Sequence, residues 1–208
     1  MDIVTEPIET YLKQFALIDE PVIREMEEYG KSKSFPIVGP VVGRLLMQYA
    51  KISGARRIFE LGSGFGYSAA WFFLATLANG EIICTESSEE NIRLGRNYMS
   101  RLGAAGVVKF RHGDALKLIR ETEGPFDIIF NDIDKQEYPQ AFESALPLLK
   151  KGGLFITDNV LWKGKVTSSD PDDTTKAVME YNRMIYNTPG VMSTIIPIRD
   201  GVAVSLKI

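Results

Sequence analysis

One short run constrains the fold of this chain more than any other. Arg57-Ile58-Phe59-Glu60-Leu61 is an apolar segment of strand length that passes directly into Gly62-Ser63-Gly64-Phe65-Gly66. The segment that follows, Ala69 to Ala78, is nearly apolar and long enough for a helix. A strand that ends in alternating glycines and turns at once into a helix opens a parallel βαβ unit. The same order recurs downstream. Asn79-Gly80 ends the helix, Glu81-Ile82-Ile83-Cys84-Thr85 reads as a second strand, and Ser87-Ser88-Glu89-Glu90 fits a capping box opening a helix to about Leu102. Val107 to Arg111 with Ala115 to Ile119, and Phe126 to Phe130 with Ala141 to Leu149, repeat the pattern, and Gly152-Gly153 leads into Leu154-Phe155-Ile156-Thr157.

A helix around Thr174 to Tyr186 precedes Met192 to Ile198 and Val202 to Leu206, whose tight turn Arg199-Asp200-Gly201 predicts an antiparallel hairpin at a sheet edge. Upstream, Ile8, Leu12, Phe15 and then Val22, Ile23, Met26 recur at roughly helical spacing, and Pro40 suits the first turn of a helix through Leu45, Leu46 and Tyr49. The expected fold is α/β: a Rossmann-like doubly wound sheet of five parallel strands plus a C-terminal antiparallel hairpin, with a helical N-terminal extension. At 208 residues one domain is expected over 1–208, the extension at 1–53 and a catalytic core at 54–208.

Composition narrows the function classes. With 45% hydrophobic and 25% charged residues the chain is an ordinary globular one. Its 24 basic and 27 acidic residues include no dense Lys/Arg block, which argues against nucleic acid or an anionic membrane as partner. The one cysteine, Cys84, cannot form an intramolecular disulfide, and Met1-Asp2-Ile3-Val4-Thr5-Glu6 lacks the basic and apolar regions of a secretory leader, so a cytoplasmic protein is expected. Ala69 to Ala78 falls well short of the roughly 18 residues of a membrane span.

In a doubly wound sheet, ligands bind beyond the carboxyl ends of the strands at the topological switch point. The glycine loop lets backbone approach a ligand closely. Glu86 closes the second strand, where a carboxylate can take both hydroxyls of a ribose. The spacing is Gly-x-Gly-x-Gly, not the Gly-x-Gly-x-x-Gly of dinucleotide binders, and Glu60, two residues before the first glycine, would repel a pyrophosphate. A cationic ligand suits the site better. S-adenosylmethionine, with a sulfonium, an ammonium and a ribose but no phosphate, matches Glu60, the glycine turn and Glu86. The other reading of the loop is a plain strand-to-helix turn. Asp114 is either close to an adenine or a helix N-cap.

The fourth strand ends in Asn131-Asp132-Ile133-Asp134-Lys135 and the fifth in Asp158-Asn159, so the topology sets these ends side by side. Asp132, Asp158 and the Asn159 amide oxygen are hard donors suited to Mg²⁺, Mn²⁺ or Ca²⁺, with no Cys or His beside them to favour a softer metal. Read singly, Asp and Asn here only end strands and start turns. Lys135 is either a general base beside a divalent cation or a solvated lysine.

These residues resemble the cation-dependent class I O-methyltransferases, the family of the caffeoyl-CoA and catechol O-methyltransferases and many small bacterial relatives. The resemblance runs from Gly54-Ala55-Arg56-Arg57 through Glu60 to Ser68, Phe126-Asp127, Asp132-Ile133-Asp134-Lys135 with Tyr138, Gly152-Gly153, Asp158-Asn159-Val160-Leu161-Trp162 with Gly164, and Pro197 to Gly201. It implies that Val38, Glu60, Gly62, Ser63, Ser68, Glu86, Asp114, Ala115 and Asp134 line the S-adenosylmethionine site. It further implies that Asp132, Asp158 and Asn159 hold the metal, which binds both oxygens of a vicinal diol on a small aromatic acceptor, and that Lys135 takes the acceptor proton. A homodimer is implied as well, with the helical N-terminus and the edge hairpin as surfaces.

The chain departs from the family pattern at Asn131, Ile133 and Arg199, and Phe35-Pro36-Ile37-Val38-Gly39-Pro40 does not follow the expected run. Trp162 and Lys163 to Asp173 are expected to form a lid or rim over the acceptor, or else a plain loop, and Tyr138 is expected to pack its helix. Three alternatives stay open: a methyltransferase with another acceptor or no metal, a noncatalytic nucleoside-binding domain, and a nicotinamide-dependent oxidoreductase, against which the glycine spacing and Glu60 count.

Overall fold

The computed structural model describes residues 3–208. Three helices come first, α1 (Glu6–Ala16), α2 (Pro21–Ser32) and α3 (Gly39–Ile52). Each has a proline in its first turn, where a missing N–H costs nothing. Strand and helix then alternate: β1 (Arg57–Leu61), α4 (Tyr67–Thr76), β2 (Glu81–Glu86), α5 (Glu89–Arg101), β3 (Val108–His112), α6 (Ala115–Arg120), β4 (Phe126–Asn131), α7 (Tyr138–Ala145) and β5 (Leu149–Thr157). Helix α8 (Asp173–Asn187) and the strands β6 (Val191–Ile196) and β7 (Val202–Lys207) complete the order.

Among the described residues these strands form one seven-stranded sheet in the order β3-β2-β1-β4-β5-β7-β6. β1 to β5 run parallel, and β7 inserts antiparallel between β5 and β6. The expected class, five parallel strands with an antiparallel C-terminal hairpin, is the one observed. Successive residues of the central strands alternate between two apolar layers. Ile58, Ile82, Cys84, Ile128, Phe130 and Ile156 face the layer built with α2 to α5. Phe59, Leu61, Ile83, Ile129 and Phe155 face the layer of α6, α7 and α8. Cover on both faces is why these strands read as continuous apolar runs.

Some boundaries differ from the sequence reading. β5 starts at Leu149, not Leu154, because Leu149 pairs with Phe126 across an irregular register that passes the exposed residues Lys151 and Gly152. α7 ends at Ala145 and gives way to a 3₁₀ turn at Leu146–Leu148. α4 begins at Tyr67, two residues early, and β6 stops at Ile196. The capping box is corrected too. Ser88, not Ser87, caps α5 by accepting from the Asn91 N–H (3.3 Å), and the Ser88 N–H donates to Glu86 Oε1 (2.8 Å), so the strand-end carboxylate fills the role the box assigns to Glu90. The reading of the first residues as lacking a leader falls partly on Met1 and Asp2, outside the described residues. Among the described residues no helix is long and apolar enough to cross a membrane.

Candidate active site

The strand order reverses between β1 and β4, and the crevice above their carboxyl ends is where the glycine loop lies. Gly62 has φ +77°, and a Cβ there would stand 2.8 Å from the Asp132 carbonyl oxygen, so only glycine lets the exits of β1 and β4 touch. The loop is fastened to β2: the Ser63 N–H donates to Thr85 O (2.9 Å), and Thr85 Oγ1 donates to Glu60 O (2.9 Å).

Glu60 is fully buried on the α4 side of β1. Ser68 Oγ, in the first turn of α4, donates to its Oε1, and Cys84 Sγ donates to its Oε2 at 3.3 Å. Burial pushes the Glu60 carboxyl up to about 7, against the lowering effect of those two hydrogen bonds. Glu60 therefore lies beneath the site, one hydrogen bond from the cavity wall that Ser68 provides.

A cavity of about 270 Å³ opens above the glycine loop. Val38, Gly62, Ser63, Ser68 and Glu86 line its inner part, and Asp132, Lys135, Asp158 and Asn159 its far end. A second cavity of about 220 Å³ continues past Gly62 and Glu86 to Asp114, Ala115 and Asp134. Every residue expected to bind the donor or the metal, and Lys135, thus borders one of two adjoining cavities, except Glu60. Asp114 is also the N-cap of α6, accepting from the Lys117 N–H at 2.7 Å, so its two sequence readings are compatible. The sequence reading assigned no part to the aromatic and apolar wall Phe35, Pro36 and Ile37, nor to Thr85, although Phe35 stacks edge-on against Phe65 with ring centroids 4.9 Å apart.

At the far end, β4 and β5 are neighbours, and the Asp158 N–H donates to Asn131 O (3.2 Å), which sets Asp158 beside Asp132. Asp158 is 1% exposed and its Oδ1 has no hydrogen-bond partner. Burial raises its carboxyl to about 7, the Asp132 charge adds to the rise, and the Arg199 guanidinium opposes it. Asp132 is also raised by burial, with Lys135 Nζ, 3.2 Å from its Oδ1, pulling the other way. Two neighbouring carboxylates that burial disfavours as anions, one with an orphaned oxygen, form an incomplete arrangement. With the amide oxygen of Asn159, which sits in the left-handed region at φ +59°, they make a hard oxygen set that fits a divalent cation such as Mg²⁺. Among the described residues no cluster of three or more His, Cys, Asp or Glu could hold a metal, so a third protein donor at this end would have to be the Asn159 amide oxygen.

Around this end, Lys135 Nζ also lies 5.4 Å from the Tyr138 ring and 5.9 Å from the Trp162 ring. Tyr138 does more than pack, because its hydroxyl donates to the Asp158 carbonyl at 2.7 Å. Trp162 and Lys163, both with positive φ, border an outer groove of about 860 Å³ that includes Pro36, Lys135, Asn159 and Arg199, which makes them a rim.

A family model described as O-methyltransferase matches residues 15–208. The chain belongs to this O-methyltransferase family. It is 35% identical over 166 residues to the catechol O-methyltransferase of Niastella koreensis, covering 76% of this chain and 74% of that one. It is 30% identical over 179 residues to caffeoyl-CoA O-methyltransferase 1 of Eucalyptus globulus, covering 80% and 72%. The crystal structure of the O-methyltransferase from Bacillus cereus in complex with SAH superposes with a TM-score of 0.88 at 27% identity, over 97% of each chain. This O-methyltransferase is an S-adenosylmethionine-dependent enzyme. That settles the enzyme class against the nucleoside-binding and nicotinamide alternatives.

Proposed function

We propose that this O-methyltransferase moves the methyl group of S-adenosylmethionine to one hydroxyl of a vicinal diol on a small aromatic acceptor, with a divalent cation held by Asp132, Asp158 and Asn159. The observation that carries the reading is the pairing of Asp132 with the buried Asp158, whose Oδ1 has no partner, in the cavity that the glycine loop lines. A catechol O-methyltransferase and a caffeoyl-CoA O-methyltransferase among the relatives support the acceptor class.

The residues divide the work. Gly62 and Ser63 offer backbone to the donor, Glu86 takes the ribose hydroxyls, and Asp114, Ala115 and Asp134 border the base pocket. The bound cation would supply Lewis acidity and orientation for the diol. Lys135 Nζ accepts the proton of the attacking hydroxyl, and the Tyr138 and Trp162 rings hold it at that end of the cavity. Trp162 and the Phe35–Val38 wall limit water around the reacting groups. Attack of an anion on a sulfonium cancels charge, so a drier pocket favours the transition state. Residues 54–208 supply the chemistry, and the segment Phe35–Val38 between α2 and α3 supplies one wall of the cleft.

A second reading has a specific observation behind it. Lys135 on Asp132 and Arg199 near Asp158 already oppose both carboxylate charges, which suits methyl transfer without a metal. An acceptor panel read by S-adenosylhomocysteine release, run on wild type beside Asp158→Ala, tests the proposal. Turnover confined to vicinal diols and lost in Asp158→Ala is expected, and turnover on simple phenols that survives the substitution contradicts it.

A further inference from the structure

Among the described residues, Lys135 and Arg199 are the cations that oppose the carboxylate pair, and Arg199 has no part in the cation-assisted scheme. It sits in the β6–β7 turn with φ +47°, and that turn is stapled to the loop after β5: the Val160 N–H donates to Gly201 O (3.0 Å) and the Leu161 N–H to Asp200 O (2.9 Å). The staples hold the guanidinium over Asp158, with Nη1 3.9 Å from Oδ2 and donating to Ile37 O at 3.0 Å. The distance to Oδ2 exceeds a hydrogen bond, so the link to Asp158 is purely one of charge. That attraction is little screened, because the Asp158 side chain is 2% exposed and that of Arg199 29%. Unlike Lys135, Arg199 cannot give up its charge by losing a proton.

We infer that Arg199 is a resident competitor for the divalent cation, a specificity residue that lowers the affinity of the Asp132–Asp158–Asn159 set. With both carboxylates ionised, the state a metal ion binds, and Lys135 and Arg199 charged, the four groups sum to zero, whereas without Arg199 the set keeps a net negative charge toward an incoming ion. The same guanidinium ties down Ile37 in the wall of the donor cavity, so the ion meets a site whose anionic end is already engaged.

This inference rests on the cation-assisted reading above. It is tested by titrating the full chain, free of acceptor, with Mn²⁺ and following the free ion by electron paramagnetic resonance. Arg199→Gln and Arg199→Ala are both expected to bind Mn²⁺ at least tenfold more tightly than wild type, while Arg199→Lys, which keeps the charge, stays within about threefold. Equal or weaker binding in the charge-removing variants overturns the inference and leaves the cation-assisted reading standing. No Mn²⁺ binding by wild type or any variant, with S-adenosylmethionine still bound, overturns both.

Discussion

The Tyr138 hydroxyl donates a 2.7 Å hydrogen bond to the backbone carbonyl of Asp158, joining the first residue of α7 to the last turn-out of β5. Both residues are buried, so Tyr138→Phe leaves a buried carbonyl unsatisfied at a cost of about 1–3 kcal/mol. Asp158 is also freed to shift against Asp132. Chemical denaturation should register that loss, and turnover should fall about tenfold with donor affinity unchanged. A Tyr138→Phe protein with wild-type turnover would mean the hydroxyl plays no part in positioning Asp158.

Lys135 separates a base from a mere charge. Lys135→Ala should lower kcat by about 10²–10⁴, the range for loss of a general base, with donor binding within threefold of wild type. Lys135→Arg restores the charge but cannot take a proton, so its kcat should stay low. Recovery in Lys135→Arg would assign Lys135 an electrostatic role only.

Glu60 gives the unliganded protein a defined pH response. Its folded pKa is about 7 against 4.5 for an ordinary glutamate, so the folded state holds the proton more tightly. The contribution to stability is complete below about pH 4.5 and is lost as pH rises toward 7, a total of about 3 kcal/mol. Glu60→Gln carries no such titration. Denaturation at pH 5 and pH 7.5 should therefore show wild type losing about 2.4 kcal/mol relative to Glu60→Gln, and parallel losses would place the Glu60 carboxyl near its ordinary value.

Gly62→Ala tests the contact between the exits of β1 and β4. A methyl group 2.8 Å from the Asp132 carbonyl, on a residue held at φ +77°, must push the two strand ends apart. Donor affinity should drop at least tenfold in calorimetry together with a lower Tm, and unchanged affinity would remove the loop from the donor site.

What could be read in advance follows from how local each signal is. The run from Ile58 to Gly66 carries strand, turn and helix within one stretch, and the paired ends Asp132 and Asp158 follow from the parallel topology once the strands are placed. The cap of α5 falls at Ser88, one residue beyond the Ser87 that the capping box marks, because Glu86, closing β2, takes the Ser88 amide, an interaction that depends on where the strand stops. The start of β5 was hidden because exposed Lys151 and Gly152 interrupt the apolar pattern that marks a buried strand. The place of Arg199 was out of reach. Its partners Asp158 and Ile37 lie 41 and 162 positions away, and only the stapling of the β6–β7 turn to the loop after β5 brings them together.

Cation-assisted methyl transfer is tested by S-adenosylhomocysteine release with a 3,4-dihydroxyphenyl acceptor after exhaustive chelation, followed by addition of Mg²⁺. Turnover should be lost on chelation and return with Mg²⁺ in wild type but not in Asp158→Ala. Full turnover in the chelated wild-type enzyme would contradict it.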